Sequence, residues 1–281
     1  MTTNELTFRR KERKYIILEH SFDEIVQRIE EHMPIYHFEG NPGLVQIETT
    51  YFDTDDFLLF KEYQSRRKFR FKIRMRRYFY DNLCEPKYLV EFKVSHNSIT
   101  SKKRFILPAQ FYEDFLANKD LKSVIKDANQ GLIGAQKTYK IIRELFKINH
   151  LKPVLRTTYN RIAFQKKSNR IRITVDQGIT HERLLGKPKT ETLDAIVLES
   201  KIMGKSPKWH KKMVNQLSLL YQQRFSKYAT GINSIYFPER GKYNFSTDEE
   251  GDCPQIPDRI IDSFKMLKTI LKLDDNALFE E

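Results

Sequence analysis

The sequence is short of cysteine. Cys84 and Cys253 are the two it has in 281 residues; neither sits in a CxxC pair, and no His pair stands at ligand spacing. A disulfide framework and a thiolate zinc site are therefore not expected. Long apolar runs are also missing: no stretch approaches the ~20 residues needed to cross a bilayer. The opening MTTNELTFRRKERKY is polar and has no apolar core of the kind a secretory signal carries. Both features point to a cytoplasmic chain. Internal repeats and low-complexity tracts are lacking. Negative charge is scarce, with 37 acidic residues against 50 Lys and Arg, a formal charge of +13 and a pI of about 9.5. Such an excess favours an anionic partner, whether nucleic acid, a membrane surface or a phosphate-rich small molecule, without choosing among them. The chain is 40% hydrophobic and 12% aromatic, enough for a sizeable core in one large β domain or two modest ones.

What the chain does contain is alternating charge. Residues 69–80 read FRFKIRMRRYFY, residues 88–97 YLVEFKVSHN and residues 101–105 SKKRF. In the first, Arg70, Lys72, Arg74 and Arg76 share one parity while Phe71, Ile73, Met75 and Phe79 hold most of the other. In the second, Glu91 and Lys93 alternate with Val90, Phe92 and Val94. In the third, Lys102 and Arg104 alternate with Phe105 and Leu107. Period two means strands with one apolar face. Cations repeating every ~6.6–6.8 Å along a strand repel unless an anion sits among them. A solvated outer sheet face accounts for any one such strand; three in succession point to a polyanion site.

The remaining elements fall around these strands. Residues 8–18 read as a strand, and Ser21 with Glu24 forms a capping box for a helix carrying Phe22, Ile25, Val26, Ile29 and Met33. Asn41-Pro42-Gly43 marks a turn before a strand over 44–53 and a short helix near 56–63. Helical patterns at 108–119, 121–128 and 135–147 form an insertion of about 108–150, after which strands resume at 152–165, 169–178 and 194–203. Eight strands joined mostly in sequence predict an α+β, mainly β fold: an eight-stranded antiparallel β-barrel tunnel with flanking helices. Ser206 and Pro207 open a further helix, as N-cap and first-turn residue. Residues 1–237 then form one tunnel domain, and 238–281 a polar linker followed by an amphipathic helix at 257–273 bearing Ile260, Ile261, Phe264, Leu267 and Leu271.

Strand parity gathers Arg10, Glu12, Lys14, Arg70, Lys72, Arg74, Arg76, Glu91, Lys93, Lys102, Arg104, Arg170, Arg172, Asp176, Glu199 and Lys201 on one charged face. An eight-stranded barrel holds side chains or one small ligand. Unpaired buried cations cost several kcal/mol each, but they become tolerable around a polyphosphate. Glu91 and Glu199 stand in matching contexts, VEFK and LESK, each two residues before a Lys. A carboxylate in a phosphate site is of use when it holds a divalent cation that bridges phosphate oxygens. Internal salt bridging is the competing reading, stronger for Glu91 than for Glu199, which follows the apolar AIVL. His96 is the one histidine of the charged strands, placed at a strand end, so no general base is expected.

In order, ERKY, TTYFDT, IRMRRY, EFK, SKKRF, YNRIAF, RIRITVD, VLESK and RFSKYATG resemble the VTC domain of polyphosphate polymerases. This is the catalytic module of the vacuolar transporter chaperone, within the triphosphate tunnel metalloenzyme superfamily. The resemblance runs from about Arg9 to Gly231. It implies a tunnel that binds nucleoside triphosphate and extrudes polyphosphate: a metal-dependent ATP–polyphosphate phosphotransferase using Mn2+ or Mg2+. Matched residue by residue, the phosphate ligands implied are Lys14, Arg74, Arg76, Lys93, Lys102, Arg161, Arg172, Arg224 and Lys227, with Lys201 beside them. The metal ligand implied is Glu199, with Glu91 and Glu12 as further carboxylates. The acceptor is a terminal phosphate oxygen, already ionised, which again makes a general base unnecessary. Arg224 and Lys227 lie outside the strand set and are expected at one mouth of the tunnel.

The match has departures. Arg replaces Lys at 224. The 281 residues leave no room for a phosphate-sensing N-terminal domain or for the membrane helices of the fungal proteins, and the segment after Pro238 has no counterpart. Parity places Arg156 rather than Arg161 on the face opposite Leu155 and Tyr159, whereas the resemblance selects Arg161. The implied partners are ATP, inorganic polyphosphate and a membrane protein that accepts the polymer. Hydrolysis of tripolyphosphate or another triphosphate is the alternative within the superfamily. A nucleic-acid binder is the alternative outside it, disfavoured because Phe71, Phe79 and Phe92 sit opposite the basic face instead of on it.

Overall fold

Alternation of charged and apolar residues becomes eleven strands in one antiparallel sheet in the computed structural model. The structure describes residues 10–37, 43–80, 83–97, 99–166, 170–217, 220–221, 225–240 and 256–271. The strands are β1 (Arg10–Ile17), β2 (Leu44–Asp53), β3 (Arg70–Tyr80), β4 (Leu83–Cys84), β5 (Lys87–His96), β6 (Ile99–Pro108), β7 (Lys152–Gln165), β8 (Ile171–Arg183), β9 (Thr190–Leu193), β10 (Ile196–Met203) and β11 (Leu220–Tyr221). The helices are α1 (Phe22–Glu30), α2 (Leu58–Gln64), α3 (Tyr112–Leu116), α4 (Lys122–Ala128), α5 (Ala135–Asn149), α6 (Lys208–Gln216), α7 (Lys227–Tyr236) and α8 (Asp258–Leu271). The expected eight strands are all present as the long ones, and β4, β9 and β11 are short additions.

The sheet runs β11-β1-β10-β8-β7-β2-β3-β5-β6, with β4 on β3 and β9 on β8. Among the described residues no ladder joins β11 to β6, so the hydrogen-bonded circuit of a closed barrel is not completed. The sheet curls nonetheless. Lys14 of β1 donates to the Phe225 carbonyl at 3.0 Å, and Lys72 of β3 to Ser226 Oγ at 3.4 Å. These two strands have β10, β8, β7 and β2 between them, so they can reach adjacent residues only if the sheet turns back on itself. The right-handed twist that accumulates along a sheet supplies this curl.

The convex side carries two apolar layers. Phe71, Ile73, Met75, Val90, Phe92, Val94, Phe105 and Leu107 of β3, β5 and β6 pack under α3, α4, α5 and α8 through Phe115, Ile125, Tyr139, Leu145, Phe264 and Leu267. Tyr15, Ile17, Phe164, Ile173, Val175 and Leu198 pack under α1 and α6 through Ile25, Ile29 and Met213. Each fully buried side chain of this size stabilises by about 1.5–3 kcal/mol. The expected amphipathic helix after the linker is thus α8, which packs on α5 and, through Phe264, on Phe69 and His96. Ser21 caps α1, accepting from the Glu24 N–H at 3.1 Å, while the Glu24 carboxylate meets His20 and Arg28. Ser206 does not cap α6: its hydroxyl is drawn to His210 Nδ1, 3.0 Å away, and Pro207 takes the N-cap position.

Helix α7 lies on the concave side. Its Tyr228, Ala229, Ile232 and Ile235 pack on Tyr51 and Leu155, and Phe225 before it packs on Ile16, Ile47, Tyr159, Ile179 and Val197. One end of the trough is therefore filled. Gly231 permits the contact, since a Cβ there would stand 2.6 Å from both His181 Nδ1 and Leu155 Cδ2. Gly231→Ala is expected to lower stability by about 1 kcal/mol or more in urea unfolding, because overpacking outweighs the ~1 kcal/mol of helix propensity gained. A net gain would show that α7 can shift away from the wall.

Candidate functional site

Side chains opposite each other on a ladder share a face, so the register defines the concave surface. One side reads Arg70–Ser95, Lys72–Lys93–Lys102, Arg74–Glu91–Arg104 and Arg76–Leu89 across β3, β5 and β6. The other reads Gln165–Arg172–Lys201–Glu12, Ala163–Thr174–Glu199–Lys14 and Arg161–Asp176–Val197–Ile16 across β7, β8, β10 and β1. The two sides face each other. Lys93 lies in the fields of Glu12, Lys14 and Lys201, and burial together with the cations holds its ammonium below the usual lysine value. The predicted residues Lys14, Arg74, Arg76, Lys93, Lys102, Arg161, Arg172, Lys201 and Lys227 are brought to one cleft with Glu12, Glu91 and Glu199. Arg224, the remaining one, lies outside the described residues. Arg172 also rests over the Tyr36 ring, 5.7 Å from its centroid.

The unbroken parity of β7 puts Arg156 and Arg161 on opposite faces, and their partners show which is which; the bulge in this region lies on the neighbouring strand. Between Thr158 and Asn160 the β8 partners step from Thr180 to Gln177, so β8 carries one extra residue, at Gly178 with φ +59°. This puts Asp176 and His181 on the same face although they are an odd number of residues apart. β7 keeps its parity, and Leu155, Thr157, Tyr159 and Arg161 all point inward. Arg156 points outward to Glu182 and Glu48, at 2.9 and 3.6 Å. Parity misleads here because apolar residues line the filled end of the trough as well as the core.

Carboxylates in the cleft are paired with the cations. Asp176, fully buried, accepts from Arg161 Nε and Nη2 at 2.6 and 2.7 Å and from Lys227 at 2.5 Å. Lys227 is therefore an interior residue, 11% exposed, instead of a mouth residue. Both cations also lie over the Tyr159 ring, at 5.2 and 4.7 Å. Glu91 is held by Arg74 at 2.6 Å and by Lys102. Burial alone would raise its pKa, but Arg74, Arg76 and Lys102 outweigh that and keep it ionised well below the usual carboxylate range. Glu199 behaves alike: burial opposes ionisation, and Lys201, Lys14 and Arg161 overcome it. Lys201 Nζ stands 2.6 Å from Glu199 and 3.6 Å from Glu12, and Lys14 is 3.3 Å from Glu12. The salt-bridge reading of Glu91 thus describes the free cleft.

Glu12 and Glu199, linked through Lys201, form a donor pair suited to a hard divalent cation. Such an ion takes one or two carboxylates and completes its shell with water and phosphate oxygens. Glu91, the third candidate carboxylate, is held by Arg74 and Lys102 as Glu199 is by Lys201. Among the described residues no three His, Cys, Asp or Glu side chains converge on one point, so this pair would rely on substrate oxygens to complete coordination.

Two anchors are not evident from strand parity. The YFDT segment caps α2: Thr54 Oγ1 accepts from Leu58 N at 2.8 Å, and Asp53 accepts from Leu59 N and Phe60 N at 2.8 and 3.0 Å. Asp53 also accepts from the Tyr228 hydroxyl, which ties α2 to α7. Capping fixes Tyr63, whose ring centroid lies 3.4 Å from Lys72 Nζ. An Asp–Thr pair before a short apolar helix is the signal that marks them.

Comparison with known proteins places this geometry. The model of the VTC domain family matches residues 9–236. Vacuolar transporter chaperone complex subunit 4 of Trypanosoma brucei brucei is 26% identical over 280 residues, an alignment covering 84% of this chain and 35% of that protein. The chain thus spans about a third of that relative's length. Among solved structures, the PH1819 protein of Pyrococcus horikoshii is similar at 13% identity and a TM-score of 0.42, over 80% of this chain and 99% of that one. A protein of Bacillus halodurans, provisionally assigned as an adenylate cyclase, is similar at 16% identity and a TM-score of 0.42, over 81% and 98%. Those two likenesses are too loose to bear on its chemistry. With the match extending from the first residues of β1 to the end of α7, the chain belongs to the VTC domain family.

Proposed function

We propose that the chain is a polyphosphate polymerase, transferring the γ-phosphate of ATP to the terminal oxygen of a growing inorganic polyphosphate. The observation that carries this reading is the excess of cations over carboxylates on the concave face. Lys14, Lys72, Arg74, Arg76, Lys93, Lys102, Arg161, Arg172, Lys201 and Lys227 share it with Glu12, Glu91, Asp176 and Glu199. Four carboxylates leave a large positive surplus that a polyanion would neutralise. Arginine forks and lysine points would bind and align the phosphates, and donors already in place need little reorganisation as charge shifts toward the leaving group. Glu12 and Glu199 would hold Mn2+ or Mg2+, which supplies charge neutralisation at the phosphate oxygens when bound. The acceptor oxygen is ionised, so the transfer needs no general base. As a relative of a chaperone-complex subunit, the module would hand its polymer to a membrane partner; no helix among the described residues is long and apolar enough to cross a membrane.

A second reading has an observation of its own. The packing of Phe225, Tyr228 and Ile232 against the inner wall fills one end of the trough, and a blind cleft suits a short substrate, hence triphosphate hydrolysis. Incubation with ATP, Mn2+ or Mg2+ and a short polyphosphate primer separates the two. The polymerase reading expects long-chain polyphosphate with ADP, abolished by omitting the metal. It also expects a steep loss with salt, because Lys102 and Glu12 at the rim, 46% and 39% exposed, are readily screened. ADP with orthophosphate and no elongation of the primer would establish hydrolysis instead.

A further inference from the structure

Lys72 begins a cross-strand row of lysines, Lys72–Lys93–Lys102, whose outermost member, Lys102, is 46% exposed while Lys72 is half-buried. Adjacent like charges on a ladder repel. Lys102 is relieved by Glu91. Among the described residues no carboxylate pairs with Lys72. Its ammonium nitrogen lies 3.4 Å from the Tyr63 ring centroid, 5.5 Å from that of Tyr228 and 3.4 Å from Ser226 Oγ. Around it stand Lys14 of β1, Tyr63 of α2, Arg70 and Arg74 of β3, Lys93 of β5 and Tyr228 of α7, and the cations among them repel its ammonium. A lysine held on aromatic rings at the base of a cationic row, with no counter-charge, is arranged for a ligand that brings one.

We propose that Lys72 is a further phosphate-binding residue of this cleft, engaging a phosphate group of the polyanion at the inner end of the lysine row. The proposal rests on the polyphosphate reading of the site. Burial first, and then Lys14, Lys93, Arg70 and Arg74, hold the Lys72 ammonium well below the usual lysine range in the free protein. An arriving phosphate cancels that repulsion, so binding shifts Lys72 towards its protonated form. Linkage gives the sign. A group whose pKa rises on binding strengthens binding as pH falls towards its free-state value, and that contribution is lost as pH rises.

The test is calorimetric titration of inorganic tripolyphosphate into wild type, Lys72→Met and Lys72→Arg, in two buffers of different ionisation enthalpy between pH 7 and 9. Wild type is expected to take up more protons than Lys72→Met, which should bind about tenfold or more weakly through loss of a charge-assisted hydrogen bond. Lys72→Arg, permanently charged, is expected to bind without the extra uptake and with a flatter pH dependence. It also keeps the test decisive if the Met variant does not fold. Equal affinity and equal proton uptake in all three would overturn the role of Lys72 while leaving the phosphate cleft standing. Failure of wild type to bind tripolyphosphate at all would overturn both.

Discussion

Arg76→Met is expected to lower kcat/KM for phosphoryl transfer by about 10²–10³-fold, the usual loss for one preorganised donor at a developing charge, with folding stability within ~1 kcal/mol of wild type. Arg76 is 8% exposed, and Thr49 Oγ1, at 3.4 Å, is a distant acceptor for its Nε. Among the described residues no carboxylate lies within ion-pair distance of it. Its charge acts on Glu91 only through the field it shares with Arg74 and Lys102, which remain, and Met retains the packing of the stem. Arg76→Lys should recover part of the activity, since a point charge replaces a planar fork. Arg74 provides the contrast. It holds Glu91 at 2.6 Å, and Glu91 is 3% exposed, so Arg74→Met should cost stability as well as activity. Steady-state kinetics beside thermal melts on the two variants separate the effects. Near-normal turnover by the Arg76 variant would remove the cationic cleft from the reaction.

Asp176→Asn is expected to destabilise the fold by about 3–5 kcal/mol, the range for breaking a buried ion pair by removing one partner. At about 2–4 °C per kcal/mol the melting temperature should fall by roughly 10 °C. Arg161 and Lys227 converge on this fully buried carboxylate, and the amide would leave both uncompensated beside Arg76. Burial opposes ionisation of Asp176, but Arg161 and Lys227 prevail and lower its pKa. Its stabilising contribution is thus complete above the unfolded value and lost as pH falls through the folded one. The gap between variant and wild type should accordingly narrow below about pH 4. Tripolyphosphate should restore part of the lost stability by supplying the missing charge to the native state. A loss under ~1 kcal/mol, unchanged by tripolyphosphate, would mean that the two cations reach solvent.

The strands and their faces are legible in the amino-acid pattern because period-two alternation is local: Arg70 to Arg76 and Glu91 with Lys93 each declare their side within a few residues. The same holds for α1 and α8, whose apolar stripes pack where their spacing implies. Nonlocal geometry is not legible there. That Arg161 and not Arg156 faces the cleft depends on a wall that turns apolar where α7 fills it, so that the apolar parity of β7 points into the trough. That Lys227 lies inside on Asp176 instead of at a mouth depends on where α7 packs in the trough. The pairing of Glu91 with Arg74 and Lys102 follows from the register of three strands. Residue order alone dictates the antiparallel strands, the charge surplus and the kind of partner that surplus calls for. Folding then settles which cations are paired with carboxylates and which, like Lys72 and Arg76, are not, because ion pairing depends on distances that alternation does not encode.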